Sequence, residues 1–124
     1  KCDESVRSRL VVENEDKGIW TPSLLAKHFD IPITYDNLHH KCLPDGLTGD
    51  QAFRLCYDTW HRKGYFKPLF HYSESHPEKS NPRSHADMPT ELPKDGGYSF
   101  PVDYEIELKD KDDAIMALET CLAT

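Results

Sequence analysis

Residues 96–108 read GGYSFPVDYEIEL. Tyr98, Phe100, Val102, Tyr104, Ile106 and Leu108 fall on every second position, with Ser99, Pro101, Asp103, Glu105 and Glu107 between them. This period places one set on a covered face of a β-strand and the other in solvent. A sheet covered on one side and wet on the other is characteristic of antiparallel pairing, so the stretch predicts an antiparallel sheet. Gly96-Gly97 predicts a turn into the strand. No GxGxxG or GxxxxGK[ST] pattern surrounds these glycines, so they are not read as a phosphate loop.

Working outward, TGDQAFRLCYDTWHRKG (48–64) predicts the principal helix. Thr48 and Gln51 fit a capping box. Ala52, Phe53, Leu55, Cys56, Thr59 and Trp60 form an apolar stripe at spacings of three and four, and Gly64 is a natural stop. TPSLLAKHF (21–29) predicts a short helix with Thr21 as N-cap and Pro22 at its first position. SVRSRLVVEN (5–14) and YFKPLFHY (65–72) read as strands, and DIPITY (30–35) as a short extended edge segment. LHHKCLPDGL (38–47) reads as a loop with a PDG turn. DKDDAIMALETC (110–121) reads as a closing helix with acids in its first turn, and Ala114, Ile115, Leu118 and Leu122 facing inward. Between the last two strands, residues 73–97 carry Pro77, Pro82, Pro89 and Pro93 with no apolar period, and read as a long surface loop.

The expectation is an α+β fold: a small antiparallel sheet packed with one main helix and one or two short helices. The 124 residues suit a single domain, 1–124, with residues 1–41 as an N-terminal extension of the core.

The net charge is −7, from 22 acidic and 15 basic residues. A protein that grips nucleic acid needs clustered Lys and Arg, so nucleic acid is not the expected partner. A local basic patch is confined to Arg54, Arg62, Lys63 and Lys67. No apolar run of about 18 residues occurs, so no membrane span is expected. No signal peptide is visible, and the start at Lys1 reads as a fragment or processed product.

Four cysteines, Cys2, Cys42, Cys56 and Cys121, are dispersed without a CxxC pair. An even, dispersed set predicts two disulfides in a secreted protein, with three pairings open. No Asn-x-Ser/Thr sequon is present.

Seven histidines offer chemistry. His39, His40 and Cys42 lie close together, but no standard ligand spacing continues from them, so no metal or other cofactor is expected. Glu74, Glu78 and Glu91 surround the long loop and offer partners for a His/carboxylate pair. No GxSxG elbow provides a nucleophile. Trp60, Tyr65, Phe66, Phe70 and Tyr72 cluster after the main helix, beside Arg62, Lys63 and Lys67. Aromatics and Arg are common contact anchors. The candidate binding surface is therefore Trp60, Arg62, Lys63 and Tyr65, with His71, His76 and His85 from the adjoining strand and loop; no catalytic residue is assigned.

The order of parts in CLPDGLTGDQAFRLCYDTW, YFKPLFHY and YSFPV, with Cys121 near the end, resembles the guanyl-specific ribonuclease and ribotoxin superfamily. It also resembles the ribonuclease-like secreted effectors of plant-pathogenic fungi. Active members place a glutamate directly before Phe-Pro, where this chain has Ser99. They also carry an arginine and a histidine after that strand, whereas this chain has no arginine after Arg83 and no histidine after His85. The resemblance implies a non-catalytic secreted effector that binds a host protein such as an immune receptor. Two alternatives stand beside it: a divergent ribonuclease or other hydrolase using histidines and carboxylates around residues 71–91, and a metal-binding protein using His39, His40, Cys42 and a loop histidine.

Overall fold

The computed structural model describes residues 3–65, 67–97 and 100–123. In chain order the elements are α1 (Glu4–Arg7), β1 (Val12–Glu13), α2 (Pro22–His28), β2 (Ile33–Thr34), α3 (Asn37–Cys42), α4 (Gly49–Arg62), β3 (Leu69–Tyr72), β4 (Asp103–Ile106) and α5 (Lys111–Ala123).

Helix α4 organises the core. Its capping box is formed: Gln51 N–H donates to Thr48 Oγ1 at 3.1 Å, and Thr48 N–H donates to Gln51 Oε1 at 2.9 Å. Its buried stripe is Ala52, Phe53, Cys56, Tyr57, Thr59 and Trp60. Phe53 meets Phe70 edge-on at 5.1 Å, and Tyr35 meets both rings at about 6 Å. Two side chains of α4 also hold β2 by its backbone. Ile33 N–H donates to Thr59 Oγ1 at 2.9 Å, and Trp60 Nε1 donates to Ile33 O at 2.8 Å. These contacts satisfy backbone groups that would otherwise be buried without partners.

Both strand pairs are parallel, not antiparallel as the alternation suggested. Val12 pairs with Ile33 between β1 and β2, and Leu69 through Tyr72 pair with Asp103 through Ile106 between β3 and β4. A parallel bridge between Asp36 and His71 joins the two pairs. The reason lies in the connections. Helix α2 carries the chain from β1 back to the start of β2, and residues 73–97 make the same return from β3 to β4 without a helix. Crossovers of this length produce parallel neighbours. The alternation itself persists in β4, where Tyr104 and Ile106 are half-buried and Asp103 and Glu105 exposed. Alternation reports which face is covered and is silent about strand direction. Tyr98 and Ser99 lie outside the described residues.

Three local readings also change. Residues 5–14 hold only a two-residue strand, and their first part is helix α1, capped by Asp3. The 38–47 stretch contains α3, because Asp36 accepts the His39 N–H at 2.8 Å and caps a helix there. Of residues 30–35, the stretch from Pro32 to Tyr35 is buried rather than lying open at an edge, with Ile33 fully buried between α4 and β1.

No disulfide occurs among the described residues. Cys42 and Cys56 are free thiols, and Cys121 is exposed on α5. Cys2 lies outside the described residues. Cys56 is sealed inside the core on α4, and burial pushes its thiol upward, followed by the charge of Asp45. It serves as a small apolar side chain rather than as half of a bridge. No helix among the described residues is long and apolar enough to cross a membrane.

Candidate metal centre

Parallel pairing brings the ends of the strands to one side of the molecule. Glu13 is the last residue of β1, Asp36 lies two residues beyond β2, His71 sits in β3, and Glu107 follows β4. In open parallel sheets, ligands bind outside the carboxyl ends of the strands. Here those ends carry carboxylates and imidazoles. Helix α3 adds His39, one turn beyond its cap Asp36.

Two sets of ligand atoms converge: Glu13, Asp36 and His39, and Asp36, His71 and Glu107. Within each set the atoms lie within 4.8 Å of one another. Asp36 belongs to both. Its side chain is fully buried; Oδ1 caps α3, while Oδ2 has no hydrogen-bond partner among the described residues. His39 Nε2 lies 3.7 Å from Oδ2, and His71 Nδ1 lies 3.9 Å from it. Leaving a buried carboxylate oxygen unpaired is costly unless a cation joins it. The mixture of carboxylate oxygens and imidazole nitrogens suits a divalent ion such as Mn²⁺ or Zn²⁺.

The residues around these groups fix their positions. Asn14 is buried; its Oδ1 accepts the Asp36 N–H at 2.8 Å and its Nδ2 donates to Asp36 O at 3.1 Å. The carbonyl of Asn14 faces His39 Nδ1 at 2.7 Å. Glu13 Oε1 is shared, lying 3.2 Å from His39 Nδ1 and 3.1 Å from His71 Nδ1. On its other side, His71 Nε2 meets Glu105 Oε2 at 3.0 Å.

The electrostatics describe a site that gathers positive charge. Hydrogen bonding to Glu13 outweighs burial and lifts both His39 and His71 to about 9. Burial alone would raise Glu13, but hydrogen bonds from the two histidines hold it at about 2. Burial lifts Asp36 to about 6, against the hydrogen bond and charge of His39. Two protonated imidazoles thus supply the charge that a bound cation would bring.

The other histidine ligand proposed from sequence proximity goes elsewhere. His40 Nε2 meets Asp45 Oδ1 at 2.8 Å, and Asp45 Oδ2 accepts from Ser23. Cys42 ends α3, and burial pushes its thiol up. Among the candidate binding residues, Trp60 is buried and bonded to Ile33, Arg62 is exposed, Lys63 pairs with Asp30 at 2.7 Å, and Tyr65 donates to Ser8 O at 3.2 Å. Phe66 lies outside the described residues. His76 lies 3.6 Å from Asp87, and His85 bridges to Ser75. Glu74 ties down Thr90 and Tyr72, and Glu91 pairs with Lys94. The structure therefore brings together His39 and His71 from the sequence candidates. Glu13, Asp36, Glu105 and Glu107 were missed as site residues. Glu13, Asp36 and Glu107 share a signal, an acid at or just beyond the end of a strand, which becomes meaningful only once the strands are parallel.

The family pattern described as UV-endonuclease UvdE matches residues 1–124. A UV-damage endonuclease of Schizosaccharomyces pombe is 30% identical over 130 residues, covering 95% of this chain and 21% of that protein. A UV-damage endonuclease of Neurospora crassa is 30% identical over 132 residues, covering 95% of this chain and 20% of that protein. The crystal structure of SacUVDE superposes with a TM-score of 0.74 at 28% identity, covering 93% of this chain and 39% of that one. The chain thus spans about a fifth of the length of these curated relatives. These matches overturn the ribonuclease-like effector resemblance, and with it the host-protein partner. The secreted assignment falls too, since its disulfide premise fails at Cys42 and Cys56. The expectation that nucleic acid is an improbable partner loses its ground as well, because the relatives are UV-damage endonucleases and a net charge of −7 is only a sum over the chain. This chain belongs to the UV-endonuclease UvdE family.

Proposed function

We propose that this chain carries a divalent-cation centre of a UV-damage endonuclease and takes part in cleaving a phosphodiester bond of ultraviolet-damaged DNA. The observation that carries the proposal is Asp36, shared by two convergent ligand sets, with one buried oxygen lacking a hydrogen-bond partner among the described residues. Glu13, Asp36, His39, His71 and Glu107 would hold the ion. A divalent cation supplies Lewis-acid polarisation of a phosphoryl oxygen and a nucleophile at neutral pH. The chain's own residues orient the ligands. Asn14 fixes the Asp36 backbone, its carbonyl fixes the His39 ring, and Glu105 holds the far nitrogen of His71. Neutral imidazole is the ligating form, so ion binding displaces the protons that His39 and His71 otherwise retain.

The test is incision of ultraviolet-irradiated supercoiled plasmid in the presence of Mn²⁺. The expected result is nicked circles from irradiated plasmid, with little nicking of unirradiated plasmid, and loss of incision in His71→Ala. Incision that persists in Asp36→Asn and His71→Ala would remove this cluster from the chemistry.

A further inference from the structure

Among the described residues, two buried side-chain oxygens lack a hydrogen-bond partner: Asp36 Oδ2 and Ser73 Oγ. The first belongs to the cation centre. The second is on the residue that follows β3, which is 1% exposed.

Ser73 sits on the centre's side of the sheet. Within β3, Phe70 packs into the α4 core, so alternation puts His71 and Ser73 on the other face. The ladder continues past β4, where Glu107 N–H donates to Tyr72 O at 2.8 Å. This bond sets Ser73 opposite Glu107, just as His71 stands opposite Glu105. Side chains at paired positions share a face, and the His71–Glu105 contact at 3.0 Å shows it one step earlier. From the other flank, Asn37 holds Ser73 by its backbone. Ser73 N–H donates to Asn37 Oδ1 at 3.1 Å, and Asn37 Nδ2 donates to Ser73 O at 2.9 Å. Ser73 is thus clamped between the neighbour of Asp36 and the segment that carries Glu107.

Both backbone groups of Ser73 are paired, and its hydroxyl is not. A hydroxyl brings one donor and two acceptor lone pairs, and burying it unpaired is costly. Its position excludes direct ligation. A serine side chain ends close to the sheet, whereas Glu107 and His71 reach further out. An ion held by their tips lies beyond Ser73 Oγ, and the gap between hydroxyl and ion suits a water molecule with polar partners on several sides.

We propose that the Ser73 hydroxyl holds a water molecule of the bound cation's coordination shell, beside Glu107. The inference rests on the proposed cation centre and adds a group that none of its ligand sets contains. Ser73 is a positioning residue. It fixes the water without ligating the ion, and its hydroxyl gains a partner only when the ion is present. Removing the hydroxyl therefore weakens the loaded site and leaves the ion-free fold intact.

The experiment titrates Mn²⁺ into the wild type, Ser73→Ala and Ser73→Thr by calorimetry, and records the Tm of each protein without the ion. The expected result is that Ser73→Ala binds Mn²⁺ about tenfold more weakly, the scale of an outer partner of a metal site. Its ion-free Tm equals or exceeds that of the wild type, because an unpaired buried hydroxyl is lost. Ser73→Thr keeps the hydroxyl and binds within about threefold of the wild type. Wild-type affinity in Ser73→Ala would overturn the inference and leave the centre standing. A lower affinity joined to a lower ion-free Tm in Ser73→Ala would overturn it too, by making the residue a structural support. A Ser73→Thr protein with wild-type Tm and the affinity of Ser73→Ala would overturn it by showing that the hydroxyl is not what matters. If Ser73→Thr does not fold, the comparison of Ser73→Ala with the wild type decides alone. Absence of saturable binding in the wild type would remove the centre and this inference together.

Discussion

At the scale of single residues, Asp36 and Asn14 form the hinge of the site. Asn14 satisfies both backbone polar groups of Asp36 inside the protein. Asn14→Ala should therefore destabilise the fold by about 2 kcal/mol or more, since two buried groups lose partners at once. Chemical denaturation checks this, and a loss well under about 0.5 kcal/mol would show that water replaces Asn14 freely. The histidines set the pH response. His39 and His71 have folded pKa values of about 9, above the ordinary 6.5, so their contribution to stability is full below 6.5 and is lost as pH rises through 9. Glu13, held at about 2 against an ordinary 4.5, contributes above 4.5 and loses that contribution as pH falls toward 2. Asp36 runs the other way, favouring the folded state below 3.8 and losing that effect as pH rises through about 6. The metal-free protein should show a Tm that declines between neutral pH and pH 9.5. Over the same range divalent-ion affinity should rise, because protons and metal compete for the same nitrogens. A Tm that climbs while affinity falls would contradict both signs.

At the scale of elements, α4 was the most legible part of the chain. Its cap and its stop at Gly64 are present, and its stripe is too, except that Tyr57 is buried where Leu55 was expected and Leu55 is half-buried. Such signals are local: a capping box needs four consecutive residues, and an apolar period needs one helix. Thr48→Ala should cost about 1 kcal/mol by thermal or chemical unfolding. The turn at Gly96 has a second constraint beyond its φ of 73°: a Cβ there would collide with the ring of Phe53. Gly96→Ala should therefore destabilise more than Gly97→Ala, whose added Cβ would meet open space at a similar φ. Equal losses in the two variants would show that backbone conformation alone matters there. Helix α3 was not legible, because its start depends on Asp36 leaving β2 in an extended conformation and turning its carboxylate onto His39 N–H. Read in sequence, the same residues look like a polar loop.

At the scale of the whole molecule, direction was the missing quantity. Alternation in residues 100–108 identified a half-covered strand, and β4 is one. It could not say that β4 runs alongside β3 in the same sense. With antiparallel strands, Glu13, Asp36, His71 and Glu107 would be divided between two ends of a sheet, and each would pass for an ordinary surface or buried polar group. Parallel pairing collects them. The cysteines misled for a related reason: even number and dispersal point to bridges only if pairs come into range, and Cys56 is instead enclosed by aromatic rings of the core. Net charge misled because −7 is a sum over the chain. Part of that charge converges at the strand ends, in Glu13, Asp36 and Glu107, where it suits a cation.

The most direct measurement is calorimetric titration of Mn²⁺ into the wild type and into Asp36→Asn at neutral pH, with circular dichroism confirming that both are folded. Saturable binding is expected in the wild type, accompanied by proton release from His39 and His71, and at least a tenfold weaker response is expected in Asp36→Asn. Absence of saturable binding in the wild type, or identical binding in the two proteins, would contradict a cation centre built on Asp36.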